Sequence, residues 1–158
     1  MIAVVQRVQQ ATVTVDGEVV GSTGRGLCVL LGIERDDEPA NARLMAARLA
    51  KLRIFPDEPF SAGAGASASA SGKMNRSVVD IAGGILLVSQ FTLAGDTSAG
   101  NRPSFTNAAP PAAAEPLYEL VRDVLGTEYA LPVGTGRFRA TMSVAIVNDG
   151  PVTLILRA

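Results

Sequence analysis

The chain has 158 residues, a typical length for one domain, and its 47% hydrophobic and 18% charged residues are typical of a chain that folds around a core. It has no histidine, one cysteine and a formal net charge of −1. These counts exclude Ser-His-Asp and Cys-His catalysis, argue against a metal or cofactor site, and lack the basic excess of a dedicated nucleic-acid-binding protein. An enzyme with this composition must take its general base from a carboxylate, a lysine, the backbone, water or the substrate.

The sequence also indicates a compartment. The lone cysteine, Cys28, cannot form an internal disulfide, which favours a reducing environment. It lies inside an apolar run without a neighbouring cation, so we expect a small, unreactive core residue. Arg7 comes too early for the apolar part of a signal peptide, and no apolar run reaches the roughly 18 residues of a membrane span. We therefore expect a cytoplasmic protein.

The first third of the chain predicts strands. Ile2–Val8 and Ala11–Val15 are rich in β-branched residues and partly alternating. Asp16-Gly17 is a hairpin signal that pairs them with Glu18–Thr23. The continuous apolar run Leu27–Leu31 is typical of a strand buried on both faces.

Helical spacing appears twice. Asp37-Glu38-Pro39 indicates a helix start with Asp37 as its cap. The apolar stripe that follows consists of Ala42, Met45, Leu49 and Leu52. A second amphipathic helix is predicted over Ala113–Leu125.

A tract rich in Gly, Ala and Ser follows the first helix. Residues 61–71 contain no large apolar side chain and no charge, so they cannot bury enough surface to offset the entropy of ordering them. We predict a flexible loop insertion over residues 56–72. The flanking pieces are too short to fold alone, so a single domain spanning residues 1–158 is expected.

The remainder of the chain predicts more strands and a long loop. Val78–Ile81 and Ile85–Phe91 are expected to form a hairpin, and Met142–Asn148 and Val152–Leu156 the two last strands. The long irregular stretch Thr92–Pro111 favours a functional loop. About eight strands and two helices in this order predict an α+β fold, with a small, largely antiparallel β-barrel-like sheet and two packing helices.

Several short motifs, each weak alone, occur in order along the chain. Ser-Gln-Phe-Thr-Leu at 89–93 places hydroxyl and amide groups at a strand end, where they are usually turn formers, and Asn-Asp-Gly-Pro-Val-Thr at 148–153 has the features of an ordinary turn. The others are Gln-Arg-Val at 6–8, Lys-Met-Asn at 73–75, Arg-Pro-Ser-Phe-Thr at 102–106 and Thr-Gly-Arg-Phe at 135–138. Together they resemble the D-aminoacyl-tRNA deacylases over essentially the whole chain.

The resemblance implies a carboxylic ester hydrolase that cleaves the bond between a D-amino acid and the 3′-terminal adenosine of tRNA, releasing both. It also implies a homodimer, in which a Gly-cis-Pro element of one subunit, Gly150-Pro151, reaches into the pocket of the other. The residues that match the family's catalytic segment are Ser89, Gln90, Phe91 and Thr92. Arg7 would orient the inserted element, and Phe138 and Met142 would line the pocket.

The site implied by the resemblance also suggests how the substrate would be selected and cleaved. Rigid carbonyls at Gly150-Pro151 would accept the α-ammonium of the substrate and leave no room for an L side chain, so many D-amino acids, and glycine mischarged on tRNA-Ala, should be admitted. Thr92 would need a base, and the nearest carboxylate in the sequence is Asp96. We favour assistance by the tRNA 2′-OH, with backbone N–H groups near Phe91 and Thr92 holding the oxyanion.

The tRNA itself would be held by cations around the pocket mouth. The candidates are Lys73, Arg76, Arg102, Arg137 and Arg139. Arg139 departs from the family pattern, which has a small residue there. Two other functions stay open: a non-catalytic RNA-binding or dimerisation module on the same fold, and editing of an L-aminoacyl-tRNA.

Overall fold

A computed structural model of the chain describes residues 1–57 and 73–158. These residues form α1 (Pro39–Lys51), α2 (Pro111–Thr127), a short 3₁₀ helix (Phe91–Ala94) and eight strands: β1 (Ile2–Val15), β2 (Glu18–Thr23), β3 (Gly26–Gly32), β4 (Phe55–Pro56), β5 (Met74–Arg76), β6 (Gly84–Ser89), β7 (Val133–Thr135) and β8 (Ser143–Arg157). Apart from Pro56 and Asp57, the predicted loop insertion lies outside the described residues. None of the helices in the described ranges is long and apolar enough to cross a membrane.

The main sheet is mixed and nearly closed. Its strand order is β2-β1-β3-β6-β7, and β8 pairs with β1. The β3–β6 and β6–β7 pairs are parallel and the others antiparallel. β2 and β7, at the two ends of this order, approach each other closely where each has a glycine. A Cβ at Gly21 would lie 2.2 Å from the Thr135 carbonyl oxygen, and one at Gly134 would lie 2.4 Å from the Ser22 carbonyl oxygen. The predicted α+β, barrel-like class is therefore confirmed, with a mixed sheet.

β1 is the long central strand of this sheet. Its first half pairs with β3 and its second half with β2, and the exposed Gln9 and Gln10 lie where it exchanges one partner for the other. The structure thus joins the two strands predicted for this segment. The predicted hairpin to β2 is confirmed, and Asp16 and Gly17 have φ values of 50° and 84°, the positive sign that a type I′ turn requires.

The predicted hairpin of Val78–Ile81 with Ile85–Phe91 is wrong. Val78–Ile81 forms turns, and β6 instead pairs parallel with β3, from Gly26 opposite Gly84 to Leu31 opposite Ser89. Strands in parallel pairs are buried on both faces, so their sequences are continuous apolar runs. Such a run does not indicate whether the strand pairs parallel or antiparallel.

The helices contact each other over the larger of two cores. α1 buries Ala42, Met45 and Leu49, as predicted, and α2 packs beside it on residues of β1, β3 and β6. A smaller cluster, which includes Cys28 and Val88, fills the other face of β3 and β6. Both faces of these two strands are therefore covered, which confirms the expectation for Leu27–Leu31.

The predicted cap of α1 has another role. The N-cap position is Glu38 rather than Asp37. Asp37 accepts a hydrogen bond from the Glu34 backbone N–H at 2.6 Å, and its other oxygen lies 2.5 Å from the α-ammonium group of Met1. A buried ammonium group requires a carboxylate partner. Asp37 is that partner and therefore does not cap the helix.

Candidate functional site

A cavity of about 570 Å³ opens where β6 ends. β6 is buried as far as Val88, and Ser89 and Gln90 then emerge half-buried before the 3₁₀ helix. Four parts of the chain line the cavity: the end of β3, the end of β6 with the start of the 3₁₀ helix, the start of α2, and the segment that leads from β7 into β8. The lining residues are Leu31, Ile33, Val88, Ser89, Gln90, Phe91, Ala109, Pro111, Ala114, Phe138, Arg139, Ala140, Met142 and Val144. The cavity is thus a meeting point of four parts of the chain.

Six of the predicted site residues line this cavity: Ser89, Gln90, Phe91, Phe138, Arg139 and Met142. Met142 packs directly on backbone, because a Cβ at Gly136 would lie only 2.5 Å from the Met142 Sδ. Phe138 is supported by Tyr118, whose ring centroid is 5.9 Å away and whose hydroxyl donates to the Leu87 carbonyl at 2.8 Å. The apolar side of the cavity is therefore fixed by close packing.

Thr92 lies beside the cavity lining rather than in it. It is exposed on the 3₁₀ helix, and Gln90 Nε2 donates a hydrogen bond to its Oγ1 at 2.5 Å. An amide is not a base, so this contact orients the hydroxyl without activating it. Gln90 is the N-cap of the helix and makes no side-chain capping bond. The first-turn N–H groups of Phe91 and Thr92 therefore have no acceptor within the helix.

Asp96 and Cys28, two side chains that could supply a base or a nucleophile, are poorly suited to either role. Asp96 Oδ1 accepts a hydrogen bond from the Ser98 N–H at 2.9 Å, and this bond lowers the pKa of Asp96. Burial raises the pKa of the Cys28 thiol to about 11, so it stays protonated at neutral pH. Within residues 1–57 and 73–158, no group of three or more acidic and cysteine side chains could hold a metal ion.

The Gly150-Pro151 segment belongs to a second cluster. Gln6 pairs with Thr153 and Val8 with Asn148, so Asp149–Val152 bulges out of the ladder opposite Arg7. Gly150 and Pro151 are exposed, and the peptide bond between them is cis. Neither they nor Arg7 line the cavity of their own chain.

Arg7 holds this bulge from the inside. It is only 7% exposed and donates from Nη1 to the Ile54 carbonyl at 2.5 Å and from Nε to the Asp149 carbonyl at 3.2 Å. The Val152 N–H donates to Asn148 Oδ1 at 3.3 Å across the same bulge. Asn148, Asp149 and Ile54 were not singled out as site residues from the sequence, because their roles depend on the register of β8 against β1.

The five predicted cations lie in different places. Arg139 lines the cavity with a φ of 63°, and Arg102 and Arg137 are exposed outside the lining. Lys73 and Arg76 lie at β5, in a separate two-stranded sheet with β4, and Arg76 donates to the Asp80 carbonyl. The role of all five in tRNA binding stays a prediction.

Two walls of the cavity were not predicted from the sequence. Leu31 and Ile33 contribute one from the end of β3, and Pro111 and Ala114 contribute the other from the start of α2. Small and apolar residues carry no chemical signal. The parallel pairing of β3 with β6 places the first wall, and the packing of α2 on the sheet places the second.

Comparison with known proteins gives concordant results. A family model described as D-Tyr-tRNA(Tyr) deacylase matches residues 4–157. The chain is 55% identical over 156 residues to the D-aminoacyl-tRNA deacylase of Anaeromyxobacter dehalogenans, covering 99% of this chain and 96% of that relative. It is 54% identical over 156 residues to the D-aminoacyl-tRNA deacylase of Deinococcus radiodurans, covering 99% of each.

Two solved structures have the same fold. The c-Myc DNA Unwinding Element Binding Protein superposes with a TM-score of 0.87 at 42% identity, over 100% of this chain and 99% of that one. A probable eukaryotic D-amino acid tRNA deacylase superposes with a TM-score of 0.81 over 99% of this chain and 98% of that one. The second likeness, at 16% identity, is one of fold alone.

Proposed function

The chain belongs to the D-Tyr-tRNA(Tyr) deacylase family, and we propose that it is a cytoplasmic D-aminoacyl-tRNA deacylase, a carboxylic ester hydrolase formed by one domain. The placement of Ser89, Gln90 and Phe91 in one cavity with Phe138 and Met142 carries this proposal. The test is release of amino acid from D-Tyr-tRNA and L-Tyr-tRNA. Release from the D substrate alone is expected. Release from neither would indicate a binding module, and release from the L substrate a different editing activity.

The catalytic part of the proposal uses the backbone and the substrate. The N–H groups of Phe91 and Thr92, in the first turn of the 3₁₀ helix, would stabilise the oxyanion that develops on the ester carbonyl, and each such donor typically contributes about 10²–10³-fold in rate. Thr92 has only an amide beside its hydroxyl, and Asp96 is held in its own turn. The 2′-OH of the terminal ribose is then the group that positions or activates the attacking water.

The assembly part of the proposal is a homodimer. The bulge at Gly150-Pro151 is exposed and lies outside the cavity of its own chain, so it can act on a cavity only by reaching another copy. β8 pairs only with β1 among the strands in the described ranges, and Val147, Leu154 and Ile155 on it are 43%, 38% and 67% exposed. An unpaired edge with exposed apolar side chains supports a covering partner.

Chiral selection would then occur between subunits. In the proposed complex, carbonyl oxygens of Gly150 and Pro151 accept the α-ammonium group and occupy the space of an L side chain. The exclusion acts at the α-carbon and not on side-chain identity, so glycine, which has no side chain to reject, should also be a substrate. Adding Gly-tRNA-Ala to the paired assay tests this, and its resistance to hydrolysis would contradict selection by steric exclusion alone.

A further inference from the structure

Two aromatic rings remain exposed beside the catalytic segment. The side chain of Phe91 is 58% exposed and that of Phe105 is 37% exposed. Their ring centroids are 5.2 Å apart and the rings are inclined at 69°, an edge-to-face contact. Because Phe91 also lines the cavity, the pair extends the cavity wall outward to the surface.

Phe105 is carried on a fixed backbone. Asp96 and Ser104 exchange two backbone hydrogen bonds of 2.8 Å each, which close the loop between them just before the ring. The ring rests on Gly95, where a Cβ would lie 2.9 Å from Phe105 Cε1. A ring that is held in place while still exposed loses little conformational freedom when another flat group stacks on it.

Two exposed arginines belong to the same part of the fold as Phe105, Arg35 by contact and Arg102 by its position in the chain. The Arg35 guanidinium donates to the Thr106 carbonyl next to Phe105, and its backbone N–H donates to the Asn107 carbonyl at 2.9 Å. Arg102 is exposed in the loop that leads to Phe105. Neither arginine is ion-paired with a carboxylate of the described ranges, so no carboxylate there neutralises either charge.

We propose that Phe91 and Phe105 form a stacking platform for the unpaired nucleotide that precedes the terminal adenosine of the substrate, with Arg35 and Arg102 beside its phosphate. This inference rests on the proposed function, which places the terminal adenosine at the cavity. Unpaired bases stack on exposed aromatic side chains, and arginines beside them neutralise the backbone. The continuity of the rings with the cavity and the two unpaired cations favour RNA over a second copy of the chain.

The platform predicts a loss that depends on the length of the substrate. A D-aminoacyl-tRNA has the preceding nucleotide, and a D-aminoacyl-adenosine does not. For Phe105→Ala, kcat/KM on the tRNA should fall by roughly 5- to 150-fold, the effect of one base stack, and kcat/KM on the adenosine ester should change by less than about twofold. Phe105→Tyr keeps the ring and should retain activity on both, whereas Phe105→Leu keeps an apolar contact on Gly95 and should behave like alanine. Thermal unfolding of each variant verifies the fold.

Three results would overturn the platform. Equal losses on both substrates would mean that the ring only shapes the cavity, and no loss on either would mean that it has no role. A change of oligomeric state in Phe105→Ala, measured by light scattering, would assign the ring to a subunit interface.

Failure of the proposed function can be separated from failure of the platform. If the wild-type protein hydrolyses neither substrate, the proposed function fails, and binding of a short oligoribonucleotide ending in adenosine still tests the platform. Phe105→Ala should weaken that binding more than it weakens binding of adenosine alone. Equal binding of the oligoribonucleotide by wild type and variant would contradict the inference.

Discussion

The buried guanidinium of Arg7 lies 3.0 Å from the Asp149 carboxylate and also donates to the Asp149 backbone carbonyl at 3.2 Å. A third contact, to the Ile54 carbonyl, ties the same side chain to the segment before β4. One cation therefore joins the exposed bulge of β8 to two other parts of the fold. Its removal would leave a carboxylate and two carbonyls without their partner.

Arg7→Met should lower the free energy of unfolding by about 3–5 kcal/mol, because it leaves the largely buried Asp149 carboxylate uncompensated. Urea denaturation measures this loss. Asp149→Asn is the matched comparison. It leaves the Arg7 charge without its carboxylate, but Arg7 keeps its hydrogen bonds to the Asp149 and Ile54 carbonyls, so it should cost less. A loss in Arg7→Met no larger than that in Asp149→Asn would show that the cation is not what holds the bulge.

Gly150→Ala should disturb the bulge itself. Gly150 has a φ of 127°, and a Cβ there would lie 2.9 Å from Val152 Cγ2 and 3.0 Å from Arg7 Nη2. A residue forced into this backbone region costs about 1–3 kcal/mol. We expect that loss of stability together with a lower ratio of D- to L-aminoacyl-tRNA hydrolysis.

Gly24→Ala provides the comparison for Gly150→Ala. A Cβ at Gly24 would meet nothing within 4 Å, so both stability and the D to L ratio should stay close to wild type. Unchanged selectivity in a correctly folded Gly150→Ala protein would argue against the proposed role of the segment.

The proposed catalysis predicts unequal effects of two hydroxyl groups. Thr92→Ala removes one hydrogen-bonding side chain but keeps the backbone N–H, so kcat should fall by about tenfold or less. A substrate with a 2′-deoxy terminal adenosine loses the group that assists the water, so its rate should fall by about 10²–10⁴-fold. Single-turnover rates measure both effects. Near-normal hydrolysis of the 2′-deoxy substrate would exclude assistance by the 2′-OH, and a larger effect from Thr92→Ala than from the 2′-deoxy substrate would assign the chemistry to Thr92.

Alkaline pH should destabilise the protein through two buried groups. Burial raises the pKa of Cys28 from 9.0 to about 11 and that of Tyr118 from 10.0 to about 12. As pH rises above 9, the unfolded chain loses these protons before the folded protein does, so the unfolded state binds fewer protons and stability falls.

Unfolding free energies measured across this alkaline range test the two groups separately. Cys28→Ala should flatten the decline between pH 9 and 11, and Tyr118→Phe should flatten it between pH 10 and 12. An unchanged slope in both variants would assign the decline to other groups. At neutral pH the protonated thiol of Cys28 should resist iodoacetamide, and rapid alkylation of the folded protein would contradict its burial.

The sequence predicted local features well and strand partners poorly. The Asp16-Gly17 turn, the apolar stripe of α1 and the burial of Leu27–Leu31 depend on nearby residues, so periodicity and turn chemistry were sufficient. The parallel pairing of β6 with β3 depends on chain direction, which an apolar run does not encode.

The candidate site was likewise predicted only in part from the sequence. The polar groups of Ser89–Phe91 at a strand end are a weak signal alone, so this segment, like Phe138 and Met142, was predicted by resemblance. The walls from β3 and α2 follow from tertiary structure. The contact of Arg7 with Asp149 also required the register of two distant strands.

β8 carries the cavity residue Val144 near its start and the Gly150-Pro151 bulge further on, in one uninterrupted strand. Side chains along a strand alternate between faces, so a single inserted or deleted residue between these two points would turn one of them to the wrong side. This stretch should therefore tolerate changes of side chain better than changes of length. The strand fixes the spacing between Val144 and the bulge, so natural variation in chain length is expected mainly in other parts of the protein.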